Sequence, residues 1–161
     1  MACESEKKQF TKLSHKDTGI DFVNKLYETN TRNYFTYPYM YLGGGVATGD
    51  FNNDGLEDLF FTGNMVPNKL YLNEGDFKFK DISETAGIEG DDRWYSGVSV
   101  IDINNDGFLD LYIAVGGENK PNNNVLYINN QDNTFTEKAK AYGIDDDGYS
   151  MHSTFFDYDN D

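Results

Sequence analysis

Residues 50–58 read DFNNDGLED, and residues 102–110 read DINNDGFLD. The same pattern starts a third time at residues 157–161, which read DYDND. In both full copies an acidic or amide side chain stands at positions 1, 3, 5 and 9, and glycine stands at position 6. Ca²⁺ takes about 6–8 oxygen ligands, and glycine tolerates the positive φ that a sharp turn around an ion often needs. The pattern therefore predicts a calcium-binding turn that leads into a β-strand, once per repeat.

The predicted ligands of the two full loops are side-chain oxygens at positions 1, 3, 5 and 9 and a main-chain carbonyl at position 7. Each loop draws three carboxylates together, and two unit charges about 4 Å apart repel by roughly 4 kcal/mol at an effective dielectric near 20. A bound cation would offset that repulsion. The alternative is a solvated turn, because Asn, Asp and Gly favour turns without any metal. The candidate ligands are Asp50, Asn52, Asp54, Leu56 and Asp58 in the first loop, and Asp102, Asn104, Asp106, Phe108 and Asp110 in the second.

The residues that follow each loop exclude the EF-hand. An EF-hand has a bidentate Glu at position 12 and helices on both sides of the loop. Position 12 is Phe61 in the first loop and Ile113 in the second. Both lie in runs rich in aromatic and β-branched residues, which predict strands.

Composition limits the class of protein. The 161 residues suffice for one ordinary domain, and the formal net charge of −15 argues against nucleic acid or an anionic membrane surface as a partner. Aromatic residues make up 16% of the chain, which excludes a chain disordered by composition. The sequence contains no nucleophile elbow, phosphate-binding glycine loop or zinc-ligand spacing. It therefore predicts no catalytic residue.

The loops lie in a repeat of about 50 residues. The first unit covers residues 43–90, the second covers 91–148, and a third begins at 149–161. Four short strands in roughly 50 residues match the size of a β-propeller blade, so the predicted fold is all-β, with blades of four antiparallel strands. The predicted strands are 46–51, 58–63, 69–73 and 77–82 in the first unit, and 98–103, 110–115, 124–129 and 135–139 in the second.

The N-terminal part of the chain is predicted in two sections. Residues 1–9 form a polar tether, and Cys3 resembles the lipidated cysteine of a mature bacterial lipoprotein; the alternative is an incidental free thiol. Residues 10–42 form a lead-in rich in aromatic residues. Its start, FTKLSHKDTGI, resembles FKDISETAGI at residues 79–88. We therefore expect residues 10–13 to form a strand like the last strand of a repeat.

The phrases GVATGDFNNDGLEDLFF and GVSVIDINNDGFLDLYI resemble FG-GAP or VCBS repeats, the calcium-loop blades of integrin α-subunit heads and many bacterial surface proteins. The phrase KLYLNEGDFKFKDISETAGI resembles the subgroup of cartilage acidic protein and its bacterial UnbV-type relatives. The resemblance implies a propeller, usually of seven blades, with Ca²⁺ on the ten loop positions named above. In the third loop it implies Asp157, Asp159 and Asp161.

These observations favour a non-catalytic, calcium-stabilised propeller segment of an exported, lipid-anchored bacterial protein, located at the outer membrane, the cell surface or in the periplasm. Its expected partner is another protein or a polysaccharide. Two blades do not close a ring of about four to eight, so further blades or another chain are expected to cover the open sheet edges. Two alternatives stay open: part of a propeller enzyme acting on polysaccharides, and an accessory subunit of an outer-membrane complex.

Overall fold

The computed structural model describes residues 10–117 and 121–159. Within them the chain forms two four-stranded antiparallel sheets, and the strands of each sheet follow one another in chain order. This confirms the predicted all-β fold with four-stranded blades. The first blade consists of β1 (Val46–Gly49), β2 (Asp58–Phe61), β3 (Lys69–Asn73) and β4 (Phe79–Asp81), and the second of β5 (Tyr95–Ile101), β6 (Asp110–Val115), β7 (Val125–Asn129) and β8 (Phe135–Glu137).

Alternating side chains give each sheet two apolar faces. In the first blade Phe60 pairs with Ala47 on one side and Leu70 on the other. All three are buried in the main hydrophobic core. Their neighbours point to the opposite face, where the rings of Phe61 and Tyr71 meet edge to face at 6.0 Å. The period of two along each strand therefore supplies apolar surface to both sides of the blade.

The main core lies between the two blades. It contains Phe60 and Leu70 from the first sheet and Leu111 and Val125 from the second. The other face of the second sheet packs in a separate cluster with residues 144 and 155. Both faces of the second blade are therefore covered.

The side-chain hydroxyl of Thr62, the residue after β2, joins the residue before β1 to β5 of the second blade. The Thr62 hydroxyl accepts a hydrogen bond from the Gly45 N–H at 2.5 Å and donates one to the carbonyl of Ser96 at 2.7 Å. Gly45 lies so close to the second blade that a Cβ there would stand 2.7 Å from Ser96 O and 2.9 Å from Val98 N. This close approach explains why glycine precedes β1.

The N-terminal lead-in packs on the face of the first blade that points away from the second. The ring of Phe22 stacks on Phe61 at 5.0 Å, and the Tyr71 hydroxyl donates to Asp21 at 2.8 Å. On the far side of the second blade, Met151 O accepts a hydrogen bond from Gly97 N at 2.9 Å. Both blades are therefore flanked by irregular chain.

The predicted strand at residues 10–13 is wrong. Those residues are not in a strand, and Phe10 is 83% exposed. In each of the two repeats, the last strand is followed by a one-turn helix that ends at a glycine with positive φ. Residues 10–20 contain the same helix and glycine but not the strand. The three helices are α1 (His15–Thr18), α2 (Ser83–Ala86) and α3 (Ala139–Tyr142), and the glycines after them are Gly19, Gly87 and Gly143, with φ of 81°, 73° and 69°.

Several strand ends also differ from the prediction. The strand predicted at 46–51 ends at Gly49, because Asp50 already belongs to the loop. The strand predicted at 77–82 shortens to Phe79–Asp81, because Asp76 and Phe77 adopt positive φ in the preceding turn. Within residues 24–41 the regular structure is a 3-10 helix at Pro38–Tyr41. The tether at residues 1–9, with Cys3, lies outside the described residues, as does Asp161.

In the part of the chain that the structure describes, no helix is long and apolar enough to cross a membrane.

Candidate cation-binding loops

The first loop connects β1 to β2 and is closed by its own side chains. Asp50 Oδ1 accepts the N–H of Asp54 at 3.0 Å, and Asp50 Oδ2 accepts the N–H of Gly55 at 2.8 Å. Asn52 Oδ1 accepts the same Asp54 N–H at 3.1 Å, and Asp54 Oδ1 accepts the N–H of Leu56 at 2.8 Å. The predicted ligands at positions 1, 3 and 5 therefore surround one turn of backbone.

The second loop, between β5 and β6, repeats these contacts. Asp106 N donates to Asp102 Oδ1 at 3.0 Å and to Asn104 Oδ1 at 3.1 Å. Gly107 N donates to Asp102 Oδ2, and Phe108 N donates to Asp106 Oδ1, both at 2.9 Å. Each distance lies within 0.1 Å of its counterpart in the first loop. The two copies of the motif therefore encode one conformation.

Backbone geometry explains two of the residue types in the motif. Position 6 has φ of 87° in both loops, and it is Gly55 in one and Gly107 in the other. Position 4 is also left-handed, with φ of 57° at Asn53 and Asn105. Asn is the side chain that, after Gly, most readily adopts this region. Asn-Asp-Gly is thus the local sequence that this turn requires.

Position 9 is a buried carboxylate at the start of a strand. Asp58 is 0% exposed and accepts the N–H of Phe51 at 3.0 Å and that of Asn73 at 2.8 Å. Asp110 is also 0% exposed and accepts the N–H groups of Ile103 at 3.1 Å and Asn129 at 2.8 Å. Each carboxylate therefore ties its loop to the end of the third strand of the blade.

Burial raises the pKa of Asp58 above its ordinary value. The N–H groups of Asn73 and Phe51 oppose this shift, and the charges of Asp54 and Asp50 add to it. Burial also raises the pKa of Asp110. The N–H groups of Asn129 and Ile103 oppose this shift, and the charges of Asp106 and Asp102 add to it. A nearby cation would stabilise the charged form of a carboxylate in such surroundings.

The donor set of each loop fits a hard cation, because every candidate ligand offers a carboxylate, amide or carbonyl oxygen. Among the described residues, no three His, Cys, Asp or Glu side chains lie close enough together to hold a metal ion. The carboxylates instead accept main-chain N–H groups. An ionised carboxylate has about four lone-pair sites, so each one keeps capacity for a cation.

Side-chain cations are found elsewhere in the described residues. The ion pairs there join Lys69 to Asp81 and Glu89, and Arg93 to Asp91. In the surroundings of Asp58, the charges that act on its pKa are acidic. The electrostatics of the loop therefore favour a positive ion from solution.

The remaining predicted ligands lie as follows. Leu56 and Phe108 follow the left-handed glycines, the former exposed and the latter half-buried. In the third loop Asp157 and Asp159 are exposed. Asp161 is outside the described residues, so its prediction has no structural counterpart here.

Sequence reasoning missed Asn73 and Asn129, the residues that hold the buried carboxylates from the third strand. Both end their strands, in KLYLN and VLYIN. The signal that could have found them is their recurrence at the same place in the two repeats. Neither Asn lies within a loop motif, so the spacing of the acidic residues does not point to it.

Comparison with known families bears directly on this motif. Residues 50–113 match the FG-GAP-like repeat. The match begins at Asp50 and ends in β6, so it includes both loops. The match supports a relationship of this chain to the FG-GAP family and supports a β-propeller-like segment.

Known proteins with similar sequences agree. Cartilage acidic protein 1 of Xenopus tropicalis is 32% identical over 127 residues, which is 75% of this chain and 18% of that protein. The human protein of the same name is 31% identical over the same shares. Integrin alpha-8 of Gallus gallus is 29% identical over 103 residues, which is 54% of this chain and 10% of the integrin. The chain thus spans about a fifth of the length of the cartilage acidic proteins.

Proposed function

We propose that this chain is a non-catalytic, calcium-stabilised part of a β-propeller, in which Ca²⁺ binds the loops at residues 50–58 and 102–110. One observation carries the proposal. Two loops with the same hydrogen bonds each present a fully buried aspartate whose charged neighbours are acidic. When bound, the ion would supply the missing positive charge and fix the turn between the inner strands.

The residues that would hold the ion are the carboxylates at positions 1, 5 and 9, the amide oxygen at position 3 and the main-chain carbonyl at position 7. Asp50 and Asp54 hold the turn by their bonds to the N–H groups of Asp54, Gly55 and Leu56. Asp58 anchors the loop to β3 through Asn73. These bonds bring the candidate ligands around one turn of backbone, and a bound ion would restrict that turn further.

An exported protein suits such a site. Extracellular modules bind Ca²⁺ at roughly 10⁻⁴–10⁻³ M, well above cytosolic concentrations. The names of two similar proteins, a cartilage acidic protein and an integrin, favour a surface or extracellular setting. Lipid anchoring at Cys3 and a bacterial surface stay predictions, and intact-mass measurement of the protein purified from membranes would test the anchor.

The proposed partner is a protein or a polysaccharide, and exposed aromatic side chains support it. Tyr34, Phe35, Tyr39 and Tyr41 are all exposed, Phe35 to 93%. Exposed apolar side chains grouped on one stretch are typical of interaction surfaces. Phe35→Ser combined with Tyr39→Ser should reduce retention on immobilised polysaccharide at unchanged melting temperature. Equal retention of both proteins would contradict a polysaccharide partner.

Further blades or another chain are the proposed cover for the open edges of the first sheet. The first sheet has the strand order β1-β2-β3-β4, so β1 and β4 are its edge strands. Unpaired strand edges readily pair with other chains.

Thermal melting and calcium titration test the loops. With a Kd of 10⁻⁴–10⁻³ M, 10 mM Ca²⁺ should stabilise the protein by roughly 1.4–2.7 kcal/mol per site. At about 2–4 °C per kcal/mol, two sites should raise the melting temperature by roughly 6–22 °C relative to EDTA. Isothermal titration should find two sites per chain, and one in Asp50→Ala or Asp102→Ala.

Glu84→Ala is the matched control, because it removes one exposed negative charge on α2, far along the chain from the loops. It should retain both sites. Circular dichroism of each variant establishes that it is folded before titration. Folded wild-type protein that neither binds Ca²⁺ nor melts higher with it would refute the proposal.

A further inference from the structure

We propose that Asn129 is a positioning residue for both loops and that, through it, the loops bind cations cooperatively. The proposal rests on the function proposed above. Asn129 is 2% exposed. Its Nδ2 donates to Phe51 O of the first loop at 2.7 Å and to Leu109 O of the second at 3.2 Å. One amide group therefore joins position 2 of one loop to position 8 of the other.

A second contact crosses between the loops at their exposed end. Asn53 Nδ2, at position 4 of the first loop, donates to Gly107 O, at position 6 of the second, at 3.0 Å. Gly107 directly precedes Phe108, whose carbonyl is a candidate ligand. The two loops are thus linked at their buried base and at their exposed turn.

Asn129 uses its main-chain N–H and both atoms of its side-chain amide in hydrogen bonds. Its N–H donates to Asp110 Oδ1 at 2.8 Å, and its Oδ1 accepts the N–H of Gln131 at 2.9 Å. The side chain is therefore held in one orientation, and a displacement of Asp110 is transmitted to the amide that holds Phe51. On the other side of that residue, Phe51 N donates to Asp58 at 3.0 Å. A continuous chain of hydrogen bonds runs from one buried carboxylate to the other.

The first repeat contains a natural comparison. Asn73 occupies the same place, and its N–H donates to Asp58 Oδ1 at 2.8 Å. Its Nδ2 donates to Glu57 O at 3.0 Å, and its Oδ1 accepts the N–H of Gly75 at 3.0 Å. All of these partners belong to the first repeat. Asn73 and Asn129 therefore share the role within a blade, and Asn129 has the contact between blades in addition.

This linkage predicts positive cooperativity. A cation that orders one loop fixes Phe51 or Gly107, and the second loop then has less backbone freedom to lose when it binds. Coupling of this kind is reciprocal and commonly changes affinity by about 5–150-fold. Repulsion between two divalent ions acts against it, but the six carboxylates of the two loops reduce that repulsion.

Calcium titrations on the whole chain test the coupling. The wild type should bind two ions with a Hill coefficient above 1. Asp102→Ala should leave one site, and its affinity should be at least about 5-fold weaker than that of the first loop in the wild type. Asn129→Ala should keep two sites and lower the Hill coefficient toward 1, because only the contact of Asn53 with Gly107 then joins the loops. Asn73→Ala should keep the cooperativity.

A second variant avoids the risk that Asn129→Ala unfolds the second blade. Asn53→Gly removes the exposed link and keeps the left-handed backbone, so it should fold and bind with a lower Hill coefficient. Asn105→Gly is its matched control, because it makes the same change at position 4 of the second loop, and it should leave the coupling intact. Melting temperatures with and without Ca²⁺ give an independent reading of each site.

The outcomes separate the two proposals. Two independent sites in the wild type, with an unchanged first site in Asp102→Ala, would overturn the coupling and leave calcium binding in place. Equal Hill coefficients in Asn53→Gly and Asn105→Gly, together with unchanged coupling in folded Asn129→Ala, would overturn the role of these contacts. No calcium binding to the folded wild type would overturn both proposals.

Discussion

Replacing Gly45 by alanine tests whether the two blades must approach as closely as they do. The new Cβ would stand 2.7 Å from Ser96 O and 2.9 Å from Val98 N, and its third neighbour is a side-chain carbon of Val98 at 3.1 Å. The two nearest atoms belong to the backbone of β5, so they cannot move aside without moving the strand. We therefore expect the blades to separate locally.

The magnitude follows from two opposing effects. Inserting a methyl group into a well-packed interface costs about 1–3 kcal/mol, and Gly to Ala recovers about 0.4–1 kcal/mol by restricting the unfolded chain. The net loss should be about 1–2 kcal/mol. At about 2–4 °C per kcal/mol, the melting temperature should fall by roughly 2–8 °C.

Gly49→Ala is the matched control, because Gly45 directly precedes β1 and Gly49 is the last residue of that strand. Its Cβ would meet Leu109 Cδ1 at 2.8 Å, which is the far end of a flexible side chain that can rotate away. Its unfolding free energy should stay within about 0.5 kcal/mol of the wild type. Urea unfolding followed by circular dichroism measures both variants. Equal stability of Gly45→Ala and Gly49→Ala would refute the argument that backbone contact enforces glycine at the blade junction.

Two further predictions concern buried polar groups. Thr62→Val keeps the shape of the side chain but removes the hydroxyl that bonds to the Gly45 N–H and the Ser96 carbonyl. Urea unfolding should therefore show a loss of unfolding free energy of about 1–3 kcal/mol. A loss below about 0.5 kcal/mol would contradict this role of the hydroxyl. Burial raises the pKa of Tyr95 to about 12. Because the folded pKa lies above the unfolded value of 10, the stabilisation is full well below pH 10 and is lost as pH rises toward 12, by roughly 1 kcal/mol between about pH 9 and 11. Tyr95→Phe should remove that part of the pH dependence when unfolding is measured at each pH.

The sequence predicted the elements whose pattern is local and repeated. The strands at Lys69–Asn73 and Asp110–Val115 have the predicted bounds, because both lie between turn residues and are rich in aromatic and branched side chains. The loops themselves have one backbone conformation, as their shared residue types indicated. Cation binding by them stays a prediction.

The elements that were missed depend on contacts made far along the chain. Each α-helix has four residues, too few to show a period of 3.6. Phe10–Leu13 has the composition of a repeat's last strand. Among the described residues it has no third strand beside it to pair with, so the residues do not form a strand. Asn129 resembles any strand-ending Asn, and its bond to Phe51, 78 positions earlier, arises only when the blades pack.

The buried aspartates connect the packing of the blades with the proposed binding of an ion. Asp58 is needed to hold Phe51 and Asn73 whether or not an ion is present, yet its burial beside Asp50 and Asp54 disfavours its charge. A neutral Asn at this position would avoid the charge, but the N–H groups of Phe51 and Asn73 bond to different oxygens of Asp58, and Asn would present an NH₂ donor in place of one of them. A carboxylate is therefore required by the fold, and a cation is the partner that best offsets its cost. Calcium affinity and the unfolding free energy of the blade should consequently change together in any variant that alters this aspartate or its N–H donors.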